Sequence, residues 1–235
     1  VTSNAVAGST YTWSASTSGA IGSSPSSPSI IATPTVVGNT IYTVSITQPN
    51  GCATQTYTRS ITLNPLPTAN AGTSPSSITC ANPTRTLSGS GGGTYVWSGS
   101  GIVSGSTTAN PTVNGPGPFS LTVTSGAGCT STNVATVTVP INTTIPSPLS
   151  ISANTVLNCA TPTVILSGTP SSGVTYTWSG PSVVSGVNSA NAGVNVGGTY
   201  NMSVTSTING CKNFTTITIA PINNTTTNTP STGGV

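Results

Sequence analysis

No aspartate, glutamate or histidine occurs in this 235-residue sequence, and its only cations are Arg59, Arg85 and Lys212. General acid–base catalysis draws on His, Asp, Glu or a tuned Lys. A glycosidase needs a pair of carboxylates, and a Ser, Thr or Cys nucleophile needs a base beside it. Of these groups the chain offers only Lys212, next to Cys211 in a turn, where a solvated lysine is the ordinary reading. No catalytic residue is assigned, and the chain is not expected to be an enzyme. Three scattered cations make no basic patch, so neither nucleic acid nor a membrane surface is an expected partner. No apolar run reaches the roughly 18 residues of a spanning helix, so no direct membrane insertion is expected. The cysteines show no CxxC spacing and have no histidine to join them, which leaves no zinc site.

Two readings of the missing acids stay open. The chain is truly neutral and relies on hydroxyls and glycans for solubility, or some Asn, Ser or Thr positions are in fact acids. The second is favoured, since even an acid-poor protein, at about 4% Asp plus Glu, would show none in this length only about once in 10⁴. No cofactor is expected, and calcium enters only under the second reading.

Ser, Thr, Gly, Asn and Pro fill most of the sequence, and the apolar residues, 34% in all, are dominated by β-branched types. Glycines and prolines recur every few residues. This composition favours short strands and tight turns over helices. Tyr-x-Trp-Ser occurs three times, at Tyr11–Ser14, Tyr95–Ser98 and Tyr176–Ser179. Each copy is followed by a Ser/Gly loop, a Val-rich stretch, a Gly-Cys turn (Gly51-Cys52, Gly128-Cys129, Gly210-Cys211) and an alternating strand. The period is about 80 residues, the size of a seven-stranded β-sandwich. The expected fold is all-β, with tandem immunoglobulin-like sandwiches arranged as a rod. Repeat 1 spans residues 1–64, repeat 2 residues 68–140 and repeat 3 residues 148–221, with a Thr/Asn-rich linker or tail at 222–235.

Within repeat 2, "SSIT" reads as strand A, "TRTLSGSG" as B, "TYVWSG" as C, "FSLTVTS" as F and "NVATVTV" as G. Leu121 and Val123 share a face, with Val137 and Val139 opposite them. The Pro-rich stretches 64–72 and 140–149 read as stiff linkers. Trp13, Trp97 and Trp178 are expected in the core rather than as sugar-stacking residues, because they recur at one place in every repeat. Tyr11, Tyr95 and Tyr176 lie two positions earlier, on the same face. Tyr42 and Tyr200 take tyrosine-corner positions at the start of strand F, where Phe119 stands in repeat 2.

Cys80 and Cys159 precede strand B in their repeats, while Cys52, Cys129 and Cys211 sit in F–G turns. One cysteine of each type per repeat suggests Cys80–Cys129 and Cys159–Cys211 disulfides. The partner of Cys52 is expected to lie outside the chain, upstream of a repeat truncated inside strand B. The alternative pairs neighbours, Cys80 with Cys211. It is prompted by the distance between the two turns, which usually sit at opposite ends of a sandwich.

The stretch "TANAGTSPSSITCANPTRTLSGSGGGTYVWSGSG" with "NPTVNGPGPFSLTVTSGAGCTSTNVATVTV" resembles the immunoglobulin-like, or PKD-like, repeats of giant surface adhesins of Bacteroidetes-type bacteria. The framework is Cys…Leu-x-Gly…Tyr-x-Trp-Ser…Tyr-x-Val…Gly-Cys, and it covers nearly the whole chain. The resemblance implies gliding-motility-associated proteins, export by type IX secretion, an extracellular or cell-surface location, and a stalk or spacer role. Such repeats commonly carry Asp where Ser74 and Asn133 stand here. The function expected is that of a non-catalytic structural or adhesive segment of a secreted adhesin or filament. Its partners would be neighbouring repeats or further chains in a fibre, and surface glycans. The alternatives are a glycan- or protein-binding module acting through its loops, or an accessory domain of a secreted hydrolase.

Overall fold

A computed structural model describes residues 7–16, 20–22, 24–50 and 54–222, and among them there is no helix. The first five strands are β1 (Thr10–Ala15), β2 (Ala20–Ile21), β3 (Ala32–Thr33), β4 (Gly38–Thr47) and β5 (Gln55–Leu63). They form an antiparallel sheet β1–β4–β5 and a short β2–β3 pair. Next come β6 (Ile78–Thr79), β7 (Arg85–Thr86), β8 (Thr94–Ser98), β9 (Ile102–Ser104), β10 (Thr112–Val113), β11 (Gly117–Thr124), β12 (Ala135–Val139) and β13 (Ile141–Asn142). Here β7–β10–β9 faces β12–β11–β8. The last group is β14 (Ser150–Ala153), β15 (Val164–Thr169), β16 (Val174–Ser179), β17 (Val183–Ser185), β18 (Asn191–Val194), β19 (Gly198–Ser206) and β20 (Lys212–Ile219). Its two sheets are β14–β15–β18–β17 and β16–β19–β20. The strand pairing A-B-E-D against C-F-G defines an immunoglobulin-like β-sandwich.

Strict two-residue alternation builds each core. Phe119, Leu121 and Val123 of β11 are fully buried, as are Tyr200, Met202 and Val204 of β19. The cores are three separate clusters. One gathers Tyr11, Trp13, Tyr42 and Val44, the second Trp97, Leu121 and Val139, and the third Trp178, Leu166 and Tyr200. Each tryptophan is buried, and each indole N–H donates to a loop carbonyl: Trp13 to Ser27 at 2.8 Å, Trp97 to Thr108 at 3.0 Å and Trp178 to Ser189 at 2.8 Å. A buried indole with its one donor satisfied presents no stacking face to a sugar.

The outward positions carry hydroxyls where most proteins carry charge. In the first sheet Thr12 lies opposite Ser45, and Ser45 opposite Thr56. In the last, Thr177 lies opposite Ser203 and Thr199 opposite Thr218, the latter pair 3.1 Å apart through their hydroxyls.

Two expectations about the connections need correction. Residues 69–71 are not linker: Ala69 and Ala71 are buried, and Asn70 bridges Ser90, so they form the first half of strand A. Residues 141–142 are β13, paired in parallel with β6. In both places backbone polar groups find sheet partners instead of running free over the surface. The tail at 223–235 lies outside the described residues.

Separate cores make the second sandwich sensitive to its own mutations. Truncating the fully buried Leu121 to Ala should cost about 2–5 kcal/mol through lost contacts and a residual cavity. Denaturant unfolding followed by hydrogen exchange should show that loss in residues 69–139 and leave residues 10–47 unchanged.

Candidate functional site: the joint between the second and third sandwiches

Among the described residues, bonds of several kinds gather at the joint around Cys80 and Cys211. Its receiving half belongs to the second sandwich. The Ile78 N–H donates to Pro140 O at 2.8 Å, which holds β6 in parallel against β13. The chain then turns sharply through Cys80, Ala81 and Asn82. Thr79 N–H donates to Asn82 O at 3.0 Å, and Asn82 N–H donates back to the Thr79 hydroxyl at 3.0 Å. The inserting half is the β19–β20 hairpin of the third sandwich, closed by Ser206 N–H on Cys211 O at 2.8 Å.

Three kinds of contact join the halves. The covalent one is the Cys80–Cys211 disulfide, with Cα atoms 4.9 Å apart. The backbone one runs from Ala81 N–H to Asn209 O at 3.1 Å. The third is the Asn209 side chain, which is only 3% exposed. Its Nδ2 donates to Asn142 Oδ1 at 2.9 Å and to Thr144 O at 2.8 Å, while its Oδ1 accepts the Cys211 N–H at 3.0 Å. One amide therefore ties the hairpin to the segment connecting the two sandwiches. Asn213 adds a bond from Nδ2 to Pro146 O at 3.0 Å. Gly210 has φ +70°, and a Cβ there would lie 2.6 Å from the Ala81 Cβ. Only glycine permits this approach.

Open grooves flank the joint. One is bounded by Ile145, Pro146, Ser172 and Ile208, the other by Ser76, Asn82, Arg85 and Thr207. The single cation there, Arg85, is committed to structure: Nε donates to Ser76 O at 2.9 Å and Nη2 to Ser77 O at 2.6 Å. These grooves gather no set of acid, base and nucleophile.

The cysteine pairing expected within repeats is overturned. Cys80 joins Cys211, so neither Cys80–Cys129 nor Cys159–Cys211 forms. Cys129 is a half-buried thiol, Cys159 is exposed, and Cys52 lies outside the described residues. The reason is geometric. β6 lies beside the Val139 end of the second sandwich, where β12 opposes Gly117 of β11. Cys129 follows Thr124, at the far end of that eight-residue strand. At about 3.3 Å per residue the separation is over 20 Å, far beyond disulfide reach.

The tyrosine-corner positions divide. Tyr200 Oη donates to Val196 O at 2.7 Å and reaches Ser182 O at 3.2 Å. Tyr42 Oη is buried with no hydrogen-bond partner among the described residues, so no corner forms there. Tyr176 Oη donates to Pro170 O, and burial pushes its phenol above the ordinary value of 10.0. Asn133 binds both polar groups of Ala69: Oδ1 accepts the N–H at 3.1 Å and Nδ2 donates to the carbonyl at 2.7 Å. An aspartate at 133 would set a carboxylate oxygen against that carbonyl, so this position suits an amide rather than an acid.

Asn209 was missed in the sequence, though a signal was there. Asn-Gly-Cys stands at 50–52 and again at 209–211.

No family model and no curated protein matches the chain. Among solved structures, the titin I-band fragment I67–I69 is similar at TM-score 0.41 and 10% identity, over 92% of this chain and 88% of that one. Chicken CNTN1 domains FN1–FN3 give TM-score 0.24 and 10% identity, over 89% and 90%. Surface layer protein SbsC, domains 4–9, gives 0.24 and 15%, over 95% of this chain and 40% of that one. The strand pairing itself defines the class: a tandem immunoglobulin-like β-sandwich chain.

Two outcomes test these contacts. Asn209→Ala leaves the Cys211 N–H and the Thr144 carbonyl without their partner, at about 1–3 kcal/mol, and amide exchange at Cys211 should accelerate. Tyr176 should ionise later than a free tyrosine in a phenolate absorbance titration. Its folded-state pKa is raised, so its contribution is complete below pH about 10 and lost as pH rises through the folded value. Tyr176→Phe should remove that alkaline loss.

Proposed function

We propose that this chain is a load-bearing spacer: a non-catalytic segment of a secreted surface adhesin or extracellular filament. One observation carries the reading, the Cys80–Cys211 bond across a joint between sandwiches, with a sequence separation of 131. A bond placed there shunts tension. Force entering strand A of the second sandwich passes at Cys80 directly into β20 of the third, and the residues between, 81–210, are protected from extension. In the chain-entropy account, closing a loop of that length also stabilises the folded pair by about 5 kcal/mol.

The other supports are compositional. A disulfide suits an oxidising, extracellular setting. Neutral hydroxyl faces suit a stalk that must stay solvated without attracting ions. In this reading the parent protein, like the gliding-motility-associated adhesins whose repeats it resembles, stands on the cell surface or in released fibres and is exported by type IX secretion. Neighbouring repeats of the same kind are its partners, and surface glycans are contacts of the tip it carries. No cofactor has a role in this reading.

Stretching single molecules with and without reductant tests it. At about 3.5 Å per residue, reduction should lengthen the fully extended chain by about 460 Å, the share hidden behind the disulfide. Equal contour lengths in the two conditions would sink the proposal.

A further inference from the structure

An asparagine followed by glycine can convert itself to an acid, because the glycine has no side chain to keep its nitrogen away from the asparagine amide. The dipeptide occurs three times here, at Asn50-Gly51, Asn114-Gly115 and Asn209-Gly210. Asn114 is exposed, between β10 and β11. Asn209 is buried at the joint. Gly51 lies outside the described residues.

The conversion needs no group from elsewhere except water. The Gly210 nitrogen bonds the Asn209 Cγ and gives up its proton, the Cγ–Nδ2 bond breaks, and ammonia leaves a cyclic imide. Water then opens the ring at either carbonyl. One opening gives aspartate. The other gives isoaspartate, whose main chain runs through the former side-chain carbon.

The closed joint holds every group that this reaction must move. The attacking nitrogen is engaged, with Gly210 N–H donating to Ser206 O at 2.9 Å. The leaving nitrogen, Nδ2, is fixed on Asn142 Oδ1 and Thr144 O, and Oδ1 is fixed on the Cys211 N–H. The Asn209 carbonyl accepts the Ala81 N–H at 3.1 Å, which pins the peptide between the two residues. Gly210 lies so close to Ala81 that a Cβ on it would stand 2.6 Å from the Ala81 Cβ. Swinging Cγ onto the Gly210 nitrogen breaks these contacts together.

We propose that Asn209-Gly210 is a self-modification site gated by the joint. While the joint is closed the amide survives. Once it opens, the dipeptide converts to aspartate or isoaspartate, and the original joint no longer re-forms. The inference rests on the joint reading above and adds a one-way step to it. The product fails to fit for two reasons. An ionised carboxylate only accepts hydrogen bonds, so the Thr144 carbonyl loses its donor and faces a buried negative charge. Isoaspartate also lengthens the main chain before Gly210, which shifts Cys211 relative to Cys80. A joint that has opened is thereby marked, and a stapled link becomes a flexible one.

The intact chain, incubated near neutral pH with and without reductant, tests this. Asn114 and Asn209 are followed by peptide mass spectrometry, with aspartate and isoaspartate forms separated. In the oxidised chain Asn209 should convert at least about tenfold more slowly than Asn114, because its conversion waits on local opening. Reduction should speed Asn209 by about tenfold or more and leave Asn114 unchanged. Cys80→Ser should release Asn209 in the same way with no reductant present. Asn209→Asp, made directly, should lower the ratio of closed to open Cys80–Cys211 in a glutathione redox buffer by about tenfold or more. Equal rates at Asn114 and Asn209 in the oxidised chain overturn the proposal. So does an Asn209 that stays an amide after reduction, or an Asn209→Asp chain that closes its disulfide as well as the native one. A chain that gives any of these results and still lengthens on reduction loses this inference alone. One that does not lengthen loses the spacer reading as well.

Discussion

The covalent bond between Cys80 and Cys211 is the constraint on which the joint depends. It holds a hairpin of one sandwich against a turn of another, and the surrounding contacts make sense only with that approach in place. Asn209 is buried because the joint closes over it, and its amide is satisfied by the connecting segment and by the Cys211 N–H. A buried amide left without those partners would cost more than it contributes. Gly210 is required for the same reason, since any side chain would push the hairpin away from Ala81. The disulfide, the amide and the glycine work as one unit spread over two sandwiches.

Thin cores and neutral surfaces follow from a common economy. The second and third sandwiches each bury eleven apolar side chains and the first buries six among the described residues, each set in a cluster of its own. A core of that size stabilises a domain modestly. Closing a long loop by a disulfide adds to it without more apolar residues. The outward faces use Thr and Ser rows in place of charges, which suits strands by β-propensity. It also leaves edges without charged gatekeepers.

Much of the fold was legible in the residues. The Tyr-x-Trp-Ser recurrence located strand C three times, and alternation in "FSLTVTS" and "NVATVTV" predicted that Leu121 and Val123 share a face with Val137 and Val139 opposite them. Tryptophan burial followed from recurrence at one position. The tyrosine corners were less legible, because a corner depends on which upstream carbonyl the loop delivers. Tyr200 finds Val196, and Tyr42 finds none among the described residues. The Pro-rich stretches misled, since Ala69, Ala71 and the Ile141–Asn142 pair belong to sheets despite the prolines around them.

The sequence by itself determined an all-β chain of three similar units, because two-residue alternation and turn chemistry are local properties. Its composition, with no Asp, Glu or His, supplies none of the usual carboxylate or imidazole groups for acid–base chemistry. Only the tertiary structure decided which cysteines meet. The second sandwich carries Cys80 and Cys129 at opposite ends of a strand more than 20 Å long, the separation that kept the Cys80–Cys211 alternative open in the sequence without deciding it. Stacking brings the end of one sandwich onto the beginning of the next, so the bond forms across the joint rather than within a bead. The role of Asn209 was decided the same way, since the groups that satisfy it come from a segment that reaches it only after the chain has folded.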